Sequence, residues 1–371
     1  MSHGKHRRVP RSWLFCDLAD SHMSVQLVSK EAGVSVATVS RVINHSRSVT
    51  PETVEVVRKA MARIGYVPPP VEKRQRRRAY STSTPIGITR GNVALLFPDV
   101  DNRALRTALS GRFMHGVGEV LRARSVNMIV TPLAEGFVSP PCIRDGQVDA
   151  VIVRTAGGGV PEQLLPALQG LPVVWLLDGE MPARGDQIAE DNASIGKLAA
   201  RYLASRGCKR VACINSQGLH YSYRSRCDWF SIEARRAGLP CHEYIRHDAP
   251  EVALTRAQVW EPQLVALVDQ LLATEPRPDG LFIPLPDDMI TVIYRTLVDR
   301  GLRIGKDIQL VCCSYDPPRL ATLDARLANI DIQAEAMGRA AVETLLWRLR
   351  HANEPQRRVM VLPSLVEGRS H

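Results

Sequence analysis

No apolar run in the 371-residue chain approaches the length a membrane-spanning helix needs, roughly 18 residues. A membrane protein is therefore not expected. The first residues are basic but offer only Trp13–Phe15 as an apolar patch, too little for the core of a secretory signal. The eight cysteines contain no CxxC pair, and two of them, Cys312 and Cys313, are adjacent. That pattern argues against a zinc framework or a secreted disulfide scaffold and for reduced thiols in the cytoplasm. Catalytic signatures are missing as well: there is no GxSxG, no HExxH, no P-loop and no GxGxxG after a strand. Gly157–Gly159 reads as a turn, and the ten histidines fall at no metal-ligand spacing. No catalytic residue, no metal and no cofactor are expected, and the chain is not read as an enzyme.

The length exceeds one ordinary domain and fits two or three. Charge is distributed unevenly. Residues 1–90 hold 16 Lys and Arg against 6 Asp and Glu, while residues 91–371 hold 32 of each. The whole net charge of +10 thus belongs to the first quarter of the chain. A basic run is often a solvated tail, but beside a major-groove helix it favours phosphates, with release of counterions.

Such a helix is legible between Ser24 and Asn44. VQLVSKEA is a short amphipathic segment, Gly33–Val34 a turn, and Ser35 a good N-cap whose hydroxyl can accept from the Ala37 or Thr38 N–H. Val39, Val42 and Ile43 fall on one face of the second helix, Thr38, Arg41 and Asn44 on the other. Spacing alone also allows a core hairpin. Further on, Thr50 and Pro51 open a third helix, with Val54, Val57, Ala60, Met61 and Ile64 as its apolar stripe. Three small helices ending at Gly65–Tyr66 and a proline run form a helix-turn-helix headpiece, whose second helix enters the major groove.

Residues 1–22 show no periodicity and are expected to be a disordered arm, with Met23 an alternative first residue. The headpiece is expected over 23–67, a basic hinge or linker over 68–90, and the remaining domain over 91–371. From Asn92 the pattern changes. NVALLFP, NMIVTPL, DAVIVR and PVVWLLD read as buried strands, with helices at Arg103–Ser125 and Pro161–Leu168. A second series follows: helix Ala193–Arg206, strand RVACIN, helices Tyr223–Ala237 and Pro262–Ala273, strand GLFIP, helix Asp287–Arg300 and strand IQLVCC. Alternating strands and helices imply parallel sheets covered on both faces. Two series imply two Rossmann-like lobes, with a cleft beyond the carboxyl ends of the strands.

AGVSVATVSRVIN followed by VTPETVEVVRKAMARIGYVP resembles the headpiece of the LacI/GalR family of transcriptional regulators. DNASIGKLAARYLASRGCKRVACI, RSRCDWFSIEARRAGL, DGLFIPLPDDMITVIYRTLVDRGLRIGKDIQLVCCSYD and LPSLVEGRS are similar to its core-domain signatures. The resemblance covers roughly Ser24 to Ser370. It implies an α/β protein: a three-helix helix-turn-helix headpiece plus a two-lobed, periplasmic-binding-protein-type core whose chain crosses between lobes three times. It also implies a cytoplasmic, nucleoid-associated repressor, a homodimer or higher homo-oligomer on a pseudo-palindromic DNA operator, controlled by a small effector such as a sugar.

DNA contacts are expected from Ser35, Val36, Ala37, Thr38, Arg41 and Asn44, with Arg41 bidentate to guanine. Arg74, Gln75 and Arg76 of the hinge join them. By the resemblance, Asp191, Arg226 and Asp287 bind the effector, and Asp99, after the first strand, opens onto the same cleft. Each has a plainer alternative: Asp191 and Asp287 as helix caps, Arg226 as a surface charge, Asp99 as a loop residue. The chain departs from the family at Pro286–Asp287, where Asn-Asp is usual, and at Trp229, where Gly is usual. Ile330 and Ile332 also stand where Thr, Val and Gln are common. Gln75 replaces the leucine that wedges between minor-groove base steps. A solute-binding protein and an effectorless DNA-binding regulator are the alternative functions. The missing leader and the extra headpiece weigh against the first.

Overall fold

The computed structural model describes residues 20–43, 49–68, 87–98, 105, 107–133, 139–155, 162–176, 179, 182–247, 257–313, 316, 322–323 and 327–368. The chain divides into two compact units, Met1–Ser81 and Thr82–His371. The division falls within the stretch expected to be the hinge.

In the first unit, α1 (Asp20–Ala32), α2 (Val36–Ile43) and α3 (Pro51–Arg63) enclose a small core. Val28, Val39 and Val57 are fully buried, joined by Val42 and Ala60. The α1–α2 turn depends on Gly33, whose φ of +63° lies in the left-handed region that glycine enters without a Cβ clash. Two sequence expectations are corrected here. α1 begins at Asp20, inside the stretch expected to be a disordered arm, because Asp20–Ser21 supply helix-start residue types that apolar periodicity does not register. Ile64, assigned to the apolar stripe, is 39% exposed. It is the C-cap of α3, where the chain turns away from the core.

The second unit runs β1 (Asn92–Phe97), α4 (Ala108–Ala123), β2 (Asn127–Pro132), α5 (Pro141–Arg144), β3 (Ala150–Arg154), β4 (Val173–Leu176) and β5 (Asp186–Glu190). It continues with α6 (Asn192–Ser205), β6 (Val211–Asn215), α7 (Tyr221–Arg236), β7 (Cys241–Ile245), α8 (Ala257–Leu272), β8 (Gly280–Ile283), α9 (Asp287–Asp299) and β9 (Gln309–Cys312). Last come β10 (Ala328–Asp331), α10 (Ala334–Arg350), β11 (Arg358–Val361) and β12 (Ser364–Val366).

Two sheets result, ordered β11-β5-β4-β3-β1-β2 and β12-β10-β9-β8-β6-β7. The first is parallel throughout. The second is parallel except where β12 pairs antiparallel with β10. The chain passes from the first sheet to the second after β5, returns between β10 and α10, and crosses again between β11 and β12. Two lobes with three crossings are thus present.

The lobes repeat a construction. Asp149, before β3, accepts from the Thr89, Arg90, Gly91 and Asn92 backbone N–H groups and the Thr89 hydroxyl, tying the turn into β1. Asp279, before β8, takes the Lys209 and Arg210 N–H groups at the turn into β6. Burial alone would raise the Asp149 pKa, but these hydrogen bonds outweigh it and hold the carboxyl below its ordinary value. Each lobe also packs two helices across a glycine. A Cβ on Gly338 of α10 would stand 2.5 Å from the Phe113 carbonyl of α4, and one on Gly196 of α6 would stand 2.4 Å from the Arg226 carbonyl of α7.

Some expected elements change. Pro161–Leu168 is a single 3-10 turn at Glu162–Leu164, because Pro166 and Gly170 leave no room for a full helix. The helix expected from Pro262 begins at Ala257 and carries the proline inside it. The buried thiols of Cys208 and Cys313 and the half-buried thiol of Cys241 are pushed up to about 11, 12 and 12, so they remain protonated at neutral pH. Among the described residues no helix is long and apolar enough to cross a membrane.

Candidate functional site

Ser35 accepts the Thr38 N–H at 3.1 Å, and its hydroxyl lies 2.9 Å from that of Thr38, which fixes the start of α2. With Val39 and Val42 turned inward, the opposite face carries Val36, 44% exposed, together with exposed Ser35, Ala37 and Arg41 and half-buried Thr38. An exposed valine and alanine beside an arginine offer a mixed surface: methyl groups for a thymine and a guanidinium fork for guanine. Of the other proposed DNA contacts, Asn44, Arg74, Gln75 and Arg76 lie outside the described residues, as does Asp99 of the cleft set.

In the second unit the structure gathers the carboxyl ends of both sheets around Arg226. This residue lies on the second turn of α7 and is fully buried, so it is not a surface charge. Its Nε donates to Asn192 Oδ1 at 2.8 Å, and one terminal nitrogen donates to the Pro284 carbonyl at 3.1 Å. The other terminal nitrogen pairs with the Glu190 carboxylate. Glu190 ends β5 of the first lobe, whereas Pro284 follows β8 of the second, so one guanidinium ties the two lobes together. Its charge is already balanced, and burying such a pair is tolerable only because its hydrogen bonds are made. Tyr223 lies one turn back, with the guanidinium 5.5 Å from its ring centre, and His220 stacks on that ring at 3.9 Å.

Asp191 sits between Glu190 and Asn192 and caps α6. One oxygen accepts the Ser194 N–H at 2.9 Å, and the other accepts the Ser194 hydroxyl at 2.6 Å. Asp287 is the first residue of α9, half-buried, and accepts the Asp316 N–H at 3.3 Å. A second interlobe tie lies at the crossings. Arg112 of α4 forks onto both oxygens of Asp331 at 3.0 and 2.9 Å, and Gln333 reaches Ser364 at 2.6 Å.

The structure places Arg226 and Asp287 beyond the ends of β6 and β8, as the sequence leads one to expect, and adds Glu190 and Asn192, which the sequence does not single out. The available signal was an acidic residue and an amide flanking Asp191 at the end of an extended run. That run, DQIAE, is too polar to stand out as a buried strand.

Residues 25–69 match the family described as bacterial regulatory proteins, lacI family. Residues 200–371 match the periplasmic binding protein-like domain. The chain is 24% identical over 353 residues to the HTH-type transcriptional repressor PurR of Vibrio atlanticus, covering 93% of this chain and 97% of that protein. Among solved structures, the transcriptional regulator CelR in complex with cellobiose superposes with a TM-score of 0.59 at 23% identity, over 94% of this chain and 99% of that one. The lac repressor dimer bound to operator and an anti-inducer superposes with a TM-score of 0.58 at 18% identity, over 92% and 96%.

Proposed function

We propose that the chain is a member of the lacI family of bacterial regulatory proteins and acts as a cytoplasmic repressor that reads a pseudo-palindromic operator as a homodimer, a reading supported by the two family matches and the full-length similarity to repressors. The observation that carries this is the capped α2, which turns Val39 and Val42 into the headpiece core and leaves Val36, Ala37 and Arg41 exposed. One headpiece presents a single eight-residue reading helix, too little to specify a long site, so two-fold pairing supplies the second half-site. The basic first quarter of the chain adds phosphate contacts, Arg74 and Arg76 of the hinge among them.

The two-lobed unit then acts as the sensor. A small effector bound beyond the strand ends, with Asp287 among its contacts, would favour one lobe arrangement over another and shift the population of DNA-competent dimers. In this reading Arg226 holds the lobes in register and Asp191 holds α6, so both support the cleft rather than reach freely into it. The relatives are repressors, and no reaction is assigned to the chain. Gel retardation of fragments from the gene's own upstream region, in the presence of excess unrelated duplex, tests the assignment. A retarded band that survives the competitor is expected. Binding that any duplex removes would contradict it.

A further inference from the structure

Interior arginines in this protein generally have a carboxylate partner: Arg112 has Asp331, Arg226 has Glu190 and Arg348 has Asp186. Arg154, the last residue of β3, does not have one among the described residues. Its guanidinium lies 5.0 Å from the centre of the Phe113 ring, and its buried Nε has no hydrogen-bond partner. The next residue, Thr155, is 3% exposed, and its hydroxyl is likewise unpartnered. Across the crevice, Asn215 ends β6 and is fully buried. Its Oδ1 accepts the Gln217 N–H at 2.8 Å, but its Nδ2 finds no partner. A buried donor left unmade costs about 1–3 kcal/mol, and such groups in a native protein call for an explanation.

Their placement supplies one. β3 lies two strands from β5, whose Glu190 receives Arg226, and β6 lies beside β8, after which Pro284 receives the same guanidinium. With strands about 4.8 Å apart, the three groups stand roughly 5–10 Å from the Arg226 bridge, within the span of a small molecule. They offer a cation N–H, an amide N–H and a hydroxyl, a set that calls for an acceptor-rich, negatively charged partner. Beyond β8 and β9 the crevice carries carboxylates instead, Asp287 and Asp316, which accept from hydroxyls and repel anions.

Resting on the assignment of this cleft to the effector, we propose that the effector is a polyhydroxylated molecule bearing one anionic group. That group, a carboxylate or a phosphate, sits against Arg154, Thr155 and Asn215, and the hydroxyls face Asp287 and Asp316. Arg226 is not the anion's partner, because Glu190 already balances it.

Thermal melting of the full-length protein at fixed ionic strength tests this with matched probes: glucose, glucuronate, gluconate and glucose 6-phosphate, then ribose, ribonate and ribose 5-phosphate. The acid or the phosphate of a set should raise the melting temperature where its neutral parent does not. Comparing the acid and phosphate arms identifies the anion. Arg154→Gln should weaken that binding about tenfold or more. In the absence of any probe, Arg154→Leu should melt no lower than the wild type, since it removes an unpaired cation while keeping contact with Phe113. A neutral parent that binds as well as its anion, a shift that survives Arg154→Gln, or a clearly lower-melting Arg154→Leu would each overturn the proposal and leave the cleft assignment standing. No shift with any probe, together with operator retardation unchanged by all of them, overturns both.

Discussion

Arg41 stands exposed on α2, on the face opposite buried Val39 and Val42. If it forks onto a guanine, Arg41→Ala should lose roughly 1–3 kcal/mol of operator binding and relax the preference at one base pair in each half-site. Uniform weakening on all sequences, measured by fluorescence anisotropy, would assign it to phosphate instead. Asp149 supplies a stability test at the same scale. Its carboxyl is held below the ordinary 3.8, so the stabilisation it contributes is fully present above that value and fades as pH falls through the lowered one. Asp149→Asn should cost roughly 1.5–3 kcal/mol at neutral pH and flatten the stability curve in acid. Equal acid sensitivity in the variant, followed by urea melts, would show that this carboxylate does not matter. The expected placement of strand and helix ends, together with the resemblance, brought Arg226 and Asp287 into view, but not what Arg226 does. Its three partners come from three different elements, and a buried ion pair with a strand-ending glutamate leaves no local periodicity to read.

At the level of elements, the α4–α10 and α6–α7 pairs depend on close backbone approach. Gly338→Ala and Gly196→Ala would each drive a Cβ against a backbone carbonyl, and either should cost about 1–3 kcal/mol in urea unfolding. Unchanged stability would mean that the helices slide apart freely. The hinge makes a second element-scale prediction. Gln75 is flanked by Lys73, Arg74, Arg76, Arg77 and Arg78, and its amide would be costly to wedge between bases. The operator complex should therefore be steeply salt-dependent and bent less than complexes with apolar wedges, whose kinks run from about 20° to 90°. Gln75→Leu should increase the bend in circular-permutation gel shifts. A strong kink in the wild type, unchanged in the variant, would refute it. The long amphipathic helices and apolar strands were legible because their periods are strong. β5, β7, β11 and β12 were not, being short and mixed in polarity, with sheet edges among them.

For the whole molecule, the repeated aspartate ties and glycine-seated helix pairs give two similar lobes joined by Arg226–Glu190, Arg112–Asp331 and three chain crossings. Such a body has a discrete arrangement that a ligand can favour, and it carries no net charge of its own beyond residue 90. On the proposed reading, DNA affinity resides in the basic first quarter of the chain, and the lobes can respond to an effector without altering the charge that binds phosphate. In the proposed function two copies of α2 read a two-fold operator. Selection of bound duplexes from a random pool by the full-length protein tests it most directly. A pseudo-palindrome should be enriched, and its half-sites should lose one preferred base pair in Arg41→Ala. Enrichment of no sequence, or of a single asymmetric site unaffected by Arg41→Ala, would contradict it.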